Sequence, residues 1–218
     1  MRKANNALVI AALFTLLLVT ASASVAGAEG EAGARSGEVS VLAMMCTPYG
    51  LNYNLIQDVM DLYGWNVTTI AVSDTVNPCA DGSPIVVDTL VTEVDDLSAW
   101  DCLFIMPARA YTGTSHADLL ASPEALDLVA RADSMEMVIG TVCGGVRVLA
   151  AADILSGVTV TGHLDYKQEY LDAGAIWAGD VVPPVVDGRI LTTRRGQYYR
   201  TQICEALRRM IDDNRAAR

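Results

Sequence analysis

One cysteine lies where an apolar run changes directly into a helical pattern. Residues 137–155 read MVIGTVCGGVRVLAAADIL, and Cys143 stands between the strand-like half and the helix-like half. Thr141 and Gly145, two positions before and after it, are small. A nucleophile elbow requires small residues there because the backbone of the nucleophile is strained and closely packed. The pattern therefore predicts a nucleophile elbow, and a tight turn with a structural cysteine is the alternative interpretation.

The predicted position of Cys143 also has favourable electrostatics for a nucleophile. The positive end of a helix dipole favours a thiolate over a thiol, so we expect a lowered pKa for Cys143. The backbone N–H of Gly144 would point towards a developing oxyanion. Together these features predict a reactive thiol that attacks a carbonyl, amide or acyl carbon.

The chain has two histidines, and they differ in their surroundings. His163 follows a strand-like segment and is the candidate base for Cys143, with Asp165 as the residue that could orient its ring. His116 lies in the polar stretch TGTSH, where we expect an exposed loop side chain. Two histidines without suitably spaced carboxylates form no metal-ligand motif, so the sequence predicts neither a metal nor another cofactor.

Short apolar runs alternate with helical stretches along the chain, which is the pattern of a mainly parallel α/β sheet between two helical layers. The expected strands are 38–45, 66–72, 84–88, 102–106, 137–142 and 157–162, with a hairpin at 185–193. The expected helices are 54–63, 123–132, 144–155 and 198–213. In such sheets the site lies at the carboxyl ends of the strands, where Cys143 and His163 both fall. Arg194 and Arg195 also follow a strand; we expect a solvated turn there, and the alternative is that they line the pocket.

Five cysteines are an odd number, so at least one thiol of a monomer is unpaired. Cys143 is the expected free thiol, and the other four allow three pairings or can all be reduced. Cys46 and Cys79 follow strands that should be neighbours, and in an oxidising compartment they are the expected disulfide. The alternative is that both are free.

The N-terminal segment has the pattern of a secretory signal peptide. Arg2 and Lys3 precede the apolar segment ALVIAALFTLLLVTA, and A-x-A sites end at Ala23 and Ala28. We predict a signal peptide over 1–28, a flexible leader over 29–37 and a folded domain over 38–218. The protein would then be secreted or periplasmic, and an uncleaved membrane anchor is the alternative.

The charge of the chain limits its partners. The net charge is −11, and removal of residues 1–28 leaves 13 basic against 26 acidic residues, a net −13. A surface of this sign disfavours nucleic acid and anionic lipid as partners. It leaves small-molecule substrates open.

Several sequence blocks together resemble the ThiJ/PfpI superfamily, which has the class I glutamine amidotransferase-like fold. The block GTVCGGVRVLAAADILSGVTVTGH is similar to its cysteine elbow, helix and T-x-H strand end. The blocks NLIQDVMDLYGWNVTTIAV, DDLSAWDCLFIMPARA and VVDGRILTTRRG match further parts of its pattern in the same order. The resemblance covers about residues 38–213 and implies a flavodoxin-like three-layer sandwich. It also implies that Cys143 is the reactive cysteine, that His163 lies beside it and that the protein is a homodimer.

Three positions depart from the pattern of that superfamily. Gly144 stands where some members have a histidine base, and Asn52 stands where members usually have a glutamate that hydrogen-bonds the cysteine. The P-G-G turn that helps to form the oxyanion hole reads Pro107-Ala108-Arg109. Asn52 cannot exchange a proton at neutral pH, whereas Arg109 could lower the pKa of the thiol or hold a carboxylate, or could be a surface side chain.

The sequence leaves two functional hypotheses. The first is an exported cysteine-dependent hydrolase or lyase that acts on a small carbonyl, amide or acyl compound. The second is a non-catalytic member that binds a small ligand or senses oxidants through Cys143.

Overall fold

A seven-stranded sheet forms the centre of the protein in the computed structural model, which describes residues 38–79, 82–108, 115–180 and 183–218. The strands are β1 (Ser40–Met44), β2 (Asn66–Ala71), β3 (Thr75–Val76), β4 (Ile85–Val86), β5 (Thr89–Leu90), β6 (Cys102–Ile105), β7 (Val138–Val142), β8 (Thr159–Val160), β9 (Ile176–Trp177), β10 (Val185–Asp187) and β11 (Ile190–Thr193). The helices are α1 (Leu51–Leu62), α2 (Ala117–Leu120), α3 (Pro123–Ser134), α4 (Val146–Ala151), α5 (Lys167–Asp172) and α6 (Gly196–Ala217). Short 3₁₀ turns span Val91–Glu93, Cys143–Gly145 and Leu164–Tyr166.

The strand order of the large sheet is β10-β11-β7-β6-β1-β2-β5. All neighbouring pairs are parallel except β10 with β11, which form the antiparallel hairpin predicted around Asp187-Gly188. Gly188 has a φ of +55°, which a tight hairpin turn requires. The remaining described strands form two small sheets, β3 with β4 and β8 with β9.

The large sheet separates the core into two layers. Phe104, Met60 and Leu207 are fully buried on the side of α1 and α6. Leu128 and Leu149, also fully buried, lie on the other side, which α2 to α5 cover. Each such side chain contributes about 1.5–3 kcal/mol through its removal from water. This arrangement confirms the predicted three-layer, mainly parallel α/β fold.

Local signals in the sequence explain several element boundaries. The helix expected after Ser122 begins at Pro123, and the Ser122 hydroxyl accepts a hydrogen bond from the Ala125 N–H at 3.2 Å. The segment 157–162, predicted as a strand, contributes only Thr159–Val160, and this strand pairs with β9 outside the large sheet. Among the described residues, no helix is both long enough and apolar enough to span a membrane.

Candidate active site

The predicted elbow is present at the carboxyl end of β7. Cys143 has a φ of +60°, a left-handed conformation that residues with a side chain rarely adopt, and a 3₁₀ turn leads from it directly into α4. A Cβ atom on Gly145 would lie 2.0 Å from Thr141 Oγ1, and one on Gly144 would lie 2.4 Å from Ser115 Oγ. Only glycine fits at these two positions, so the chain after Cys143 is closely packed on both sides.

The Cys143 thiol is partly buried, and this burial determines the direction of its pKa. Desolvation raises the pKa above the ordinary value of a cysteine. The Gly144 N–H and the charge of Arg194 act in the opposite direction but do not outweigh burial, and the charge of Asp165 adds to the increase. The expected lowering of the Cys143 pKa is therefore wrong, because desolvation of the thiol outweighs the groups that favour its charged form.

His163 contacts Cys143 through a backbone hydrogen bond and not through its imidazole ring. Its N–H donates to the Cys143 carbonyl at 3.2 Å, and the Tyr170 hydroxyl donates to the same oxygen at 3.5 Å. Its Nδ1 accepts from the Asp165 N–H at 3.3 Å and lies 3.7 Å from the Asp165 carboxylate. Within the described ranges, no hydrogen bond joins the His163 ring to the Cys143 thiol. Because Nδ1 is an acceptor, the neutral ring carries its proton on Nε2, which makes Nε2 a hydrogen bond donor.

His116 is fully buried, so the expectation of an exposed loop side chain is wrong. Its ring lies 2.9 Å from the Met106 carbonyl through Nε2 and 2.8 Å from the Ser115 hydroxyl through Nδ1. A carbonyl can only accept, so Nε2 carries the proton and Nδ1 accepts from Ser115. Burial lowers the pKa of His116 to about 4. The ring also lies against both elbow glycines, since Cβ atoms on Gly144 and Gly145 would come within 3.5 Å of it.

Arg147, in the first turn of α4, also contacts the segment that contains Ser115 and His116. Its Nη1 donates to the Ser115 carbonyl at 2.8 Å, its Nε pairs with Glu169 at 2.7 Å, and its guanidinium lies 4.2 Å from the centre of the Tyr166 ring. His116 and Arg147 therefore fix this segment against the elbow. Sequence reasoning missed Arg147, and it placed His116 in the loop after the predicted strand 102–106 but expected its side chain to be exposed.

The remaining predicted pocket residues are Asn52, Ala108 and Arg109. Asn52 lies in the first turn of α1, one helical turn before Ile56, whose side chain packs near Val142 at the end of β7. Its amide makes no hydrogen bond to the described part of the chain. Ala108 forms an isolated antiparallel bridge with Tyr49, and Arg109 lies outside the described residues. The structure thus groups Cys143, Gly144, His163 and Asp165, with Asn52 at the neighbouring end of α1.

Cys46 and Cys79 are free thiols in the structure and do not form the expected disulfide. Cys46 is fully buried in the core layer of α3 and α4, and its Sγ lies 4.0 Å from the Met106 carbonyl. The Cys79 N–H donates to the Tyr49 carbonyl, and the Tyr49 ring packs in the opposite core layer. The described residues also contain no group of three or more His, Cys, Asp or Glu side chains that could hold a metal ion.

Comparisons with known proteins give a consistent assignment. The model of the DJ-1/PfpI family matches residues 50–207. No curated protein sequence matches the chain significantly. Among solved structures, a ThiJ/PfpI domain protein from Brachyspira murdochii has a TM-score of 0.69 at 17% identity, over 81% of this chain and 99% of that one.

Two further structures show the same fold. Drosophila melanogaster DJ-1beta has a TM-score of 0.65 at 21% identity, over 81% of this chain and 95% of that one. A two-domain protein from Anabaena variabilis, with DJ-1/ThiJ/PfpI-like and ferritin-like domains, has a TM-score of 0.68 at 20% identity. That match covers 78% of this chain but only 48% of the other, so this chain spans about half the length of that protein.

Proposed function

Because the chain belongs to the DJ-1/PfpI family, we propose that it is an exported enzyme that uses Cys143 to attack small carbonyl compounds. The observation that carries this proposal is the φ of +60° at Cys143. A non-glycine residue in this conformation costs about 1–3 kcal/mol, and such strain persists only where the surrounding packing enforces it. Strained residues of this kind are concentrated at active sites, and this one is the residue that presents a thiol at the carboxyl end of the parallel sheet.

The thiolate form of Cys143 can begin this chemistry on an aldehyde or ketone. The sulfur–carbon bond forms while the carbonyl π bond breaks, and the thiol proton passes to the carbonyl oxygen, which gives a hemithioacetal without any other reactant. The Gly144 N–H and the His163 Nε2–H stabilise the developing oxyanion as hydrogen bond donors. The raised pKa of Cys143 keeps the thiolate a minor form and slows the attack, while the overall addition neither consumes nor releases a proton.

Two observations bear on the alternative of a non-catalytic member. Asn52 replaces an acid–base group, which favours binding of a ligand without turnover. Oxidant sensing depends on a thiolate, as nucleophilic attack does, so the burial of Cys143 does not distinguish the two. We therefore retain as the second candidate a non-catalytic member that binds a small ligand or senses oxidants through Cys143.

Turnover of small carbonyl compounds tests the proposal. We expect the wild type to consume a 2-oxoaldehyde and to form a covalent adduct on the Cys143 peptide that mass spectrometry detects. Cys143→Ser should abolish both, whereas Cys79→Ser, which removes another partly buried thiol, should change neither. An adduct without turnover would favour ligand binding, and the absence of both from the wild type would refute a reactive Cys143.

Export and dimerisation are separate parts of the proposal. The pattern over residues 1–28 supports a cleaved signal peptide, and N-terminal sequencing of secreted protein should begin at Ser24 or Glu29. Protein that begins at Met1 in a membrane fraction would contradict cleavage. The resemblance to dimeric relatives supports a homodimer, which light scattering after gel filtration would measure.

A further inference from the structure

Gly144 and Gly145, which follow Cys143, have no side chains that would restrict their backbone. Glycine has the greatest backbone freedom of any residue, so two glycines in succession leave the direction of the Gly144 N–H undetermined by the local sequence. In the proposed reaction this N–H must already point to the place where the oxyanion develops, because a donor lowers the barrier most when it is preorganised. The restraint on Gly144 therefore has to come from side chains of other segments.

The Ser115 side chain occupies the space that a side chain at position 144 would fill. A Cβ atom on Gly144 would lie 2.4 Å from Ser115 Oγ and 3.1 Å from Ser115 Cβ. The serine hydroxyl therefore packs on the Gly144 backbone itself. Both residues are buried, so the glycine cannot shift towards Ser115 without disturbing close packing.

The imidazole ring of His116 fixes the position of this hydroxyl. Its Nε2 donates to the Met106 carbonyl at 2.9 Å, which leaves Nδ1 to accept from the Ser115 hydroxyl at 2.8 Å. His116 also has a φ of +60°, the same left-handed conformation as Cys143. Such strain persists only where the surrounding structure enforces it, and it is concentrated at functional sites. A second strained residue therefore lies against the elbow, and its side chain is fully buried.

The end of β6 anchors both side chains that enclose the elbow glycines. The Thr141 hydroxyl donates to the Ile105 carbonyl at 3.2 Å, and His116 donates to the next carbonyl, that of Met106. A Cβ atom on Gly145 would lie 2.0 Å from Thr141 Oγ1 and 3.4 Å from His116 Nε2. The glycines are thus held between groups that are hydrogen-bonded to a central strand, and strands position a site more precisely than loops do.

We propose that Ser115 and His116 are positioning residues that hold the Gly144 N–H in the direction required to bind the oxyanion. This inference rests on the proposed function, and the two residues act through Gly144 rather than on the substrate. Because the charge on oxygen develops only in the transition state, their loss should lower kcat and leave KM nearly unchanged. The same N–H favours the thiolate of Cys143 in the resting protein, so its displacement should also raise the pKa of the thiol.

Ser115→Ala tests the proposal with a small change, since it removes the hydroxyl and keeps the Cβ atom. We expect kcat for a 2-oxoaldehyde to fall about tenfold, less than the roughly 10²–10³-fold that loss of a whole oxyanion donor costs, with KM within about twofold. The rate of alkylation by iodoacetamide between about pH 7 and pH 10 gives the pKa of Cys143, which should rise by about half a unit. The titratable groups that interact with this thiol, namely Arg194, Asp165 and Tyr170, are unchanged in the variant.

Ser122→Ala is the matched control, because Ser122 has the same exposure of 6% as Ser115 but caps α3. It should lower stability without changing kcat or the pKa of Cys143. His116→Gln removes the acceptor of the Ser115 hydroxyl and should lower kcat about as much as Ser115→Ala. The double variant should be no slower than the slower single variant, because both changes break one hydrogen bond. Additive losses, or equal effects of the two serine variants, would overturn the proposal.

Motion of the Gly144 N–H separates failure of this inference from failure of the proposed function. Relaxation of ¹⁵N-labelled protein gives an order parameter for that N–H whether or not the protein turns over a carbonyl compound. We expect about 0.85 in the wild type and in Ser122→Ala, the value of rigid backbone, and a fall towards about 0.6 in Ser115→Ala. This fall in a protein without turnover would contradict the enzyme and support the restraint on Gly144. An order parameter that Ser115→Ala leaves unchanged would refute the inference.

Discussion

Replacement of His116 by glutamine should remove a pH dependence of stability that the buried ring creates. The ordinary pKa of histidine is 6.5, and burial lowers that of His116 to about 4. Between these values the unfolded chain binds a proton that the folded protein excludes, so the free energy of unfolding falls as the pH falls. At about 1.4 kcal/mol for each pH unit, the full loss is about 3 kcal/mol, a large part of the 5–15 kcal/mol typical of a domain.

The assay is urea denaturation of both proteins at about pH 7 and about pH 4.5, where the loss due to His116 reaches about 2.5 kcal/mol. The glutamine side chain would retain a donor for the Met106 carbonyl and would not titrate, so the variant should be less stable than the wild type near pH 7 and should approach or exceed it near pH 4.5. Burial raises the pKa of Asp118, which acts in the opposite direction, but this contribution is common to both proteins and cancels in the difference.

His163→Gln is the matched control because it removes the other histidine, whose side chain is 43% exposed. This variant leaves the buried His116 ring in place, so the loss of stability that His116 causes at low pH should persist. If the stability difference between the wild type and His116→Gln stays constant within about 0.5 kcal/mol over this pH range, His116 is not a buried neutral histidine. The packing deduced around the elbow would then be wrong.

Three further predictions concern the elbow and its neighbour strand. Gly145→Ala should destabilise the protein by about 2 kcal/mol or more because the new Cβ overlaps Thr141 Oγ1, and Thr141→Ala in the same chain should recover part of the loss in a denaturant titration. Cys143→Gly should be about 1 kcal/mol more stable than Cys143→Ala, since only alanine keeps a side chain at a φ of +60°; the reverse order in thermal unfolding would show that the conformation is not strained. Thr193→Val should raise the free energy of unfolding by about 1 kcal/mol in ligand-free protein because it removes an unpartnered hydroxyl, and a loss of stability would show that the hydroxyl has a partner.

Much of the fold could be predicted because its signals are local. The apolar runs that become β1, β6 and β7 are buried on both faces, so they read as continuous hydrophobic segments. The start of α3 follows from Ser122 and Pro123, which satisfy and pre-organise its first turn. The weak strand at 157–162 was overestimated because β-propensity carries no information on which partner strand is available.

The sequence by itself determined the elbow, because a strand, a cysteine between small residues and a helix are sufficient to define that turn. It also identified Cys143 and His163 as neighbours through the order of the family's motifs. Tertiary structure decided the chemistry of these groups. Segments that are distant in the sequence bury Cys143, which raises the pKa of its thiol, and they enclose the His116 ring in the core. They also leave the buried Thr193 hydroxyl without a hydrogen bond partner among the described residues. No spacing along the chain reports how much water a site retains.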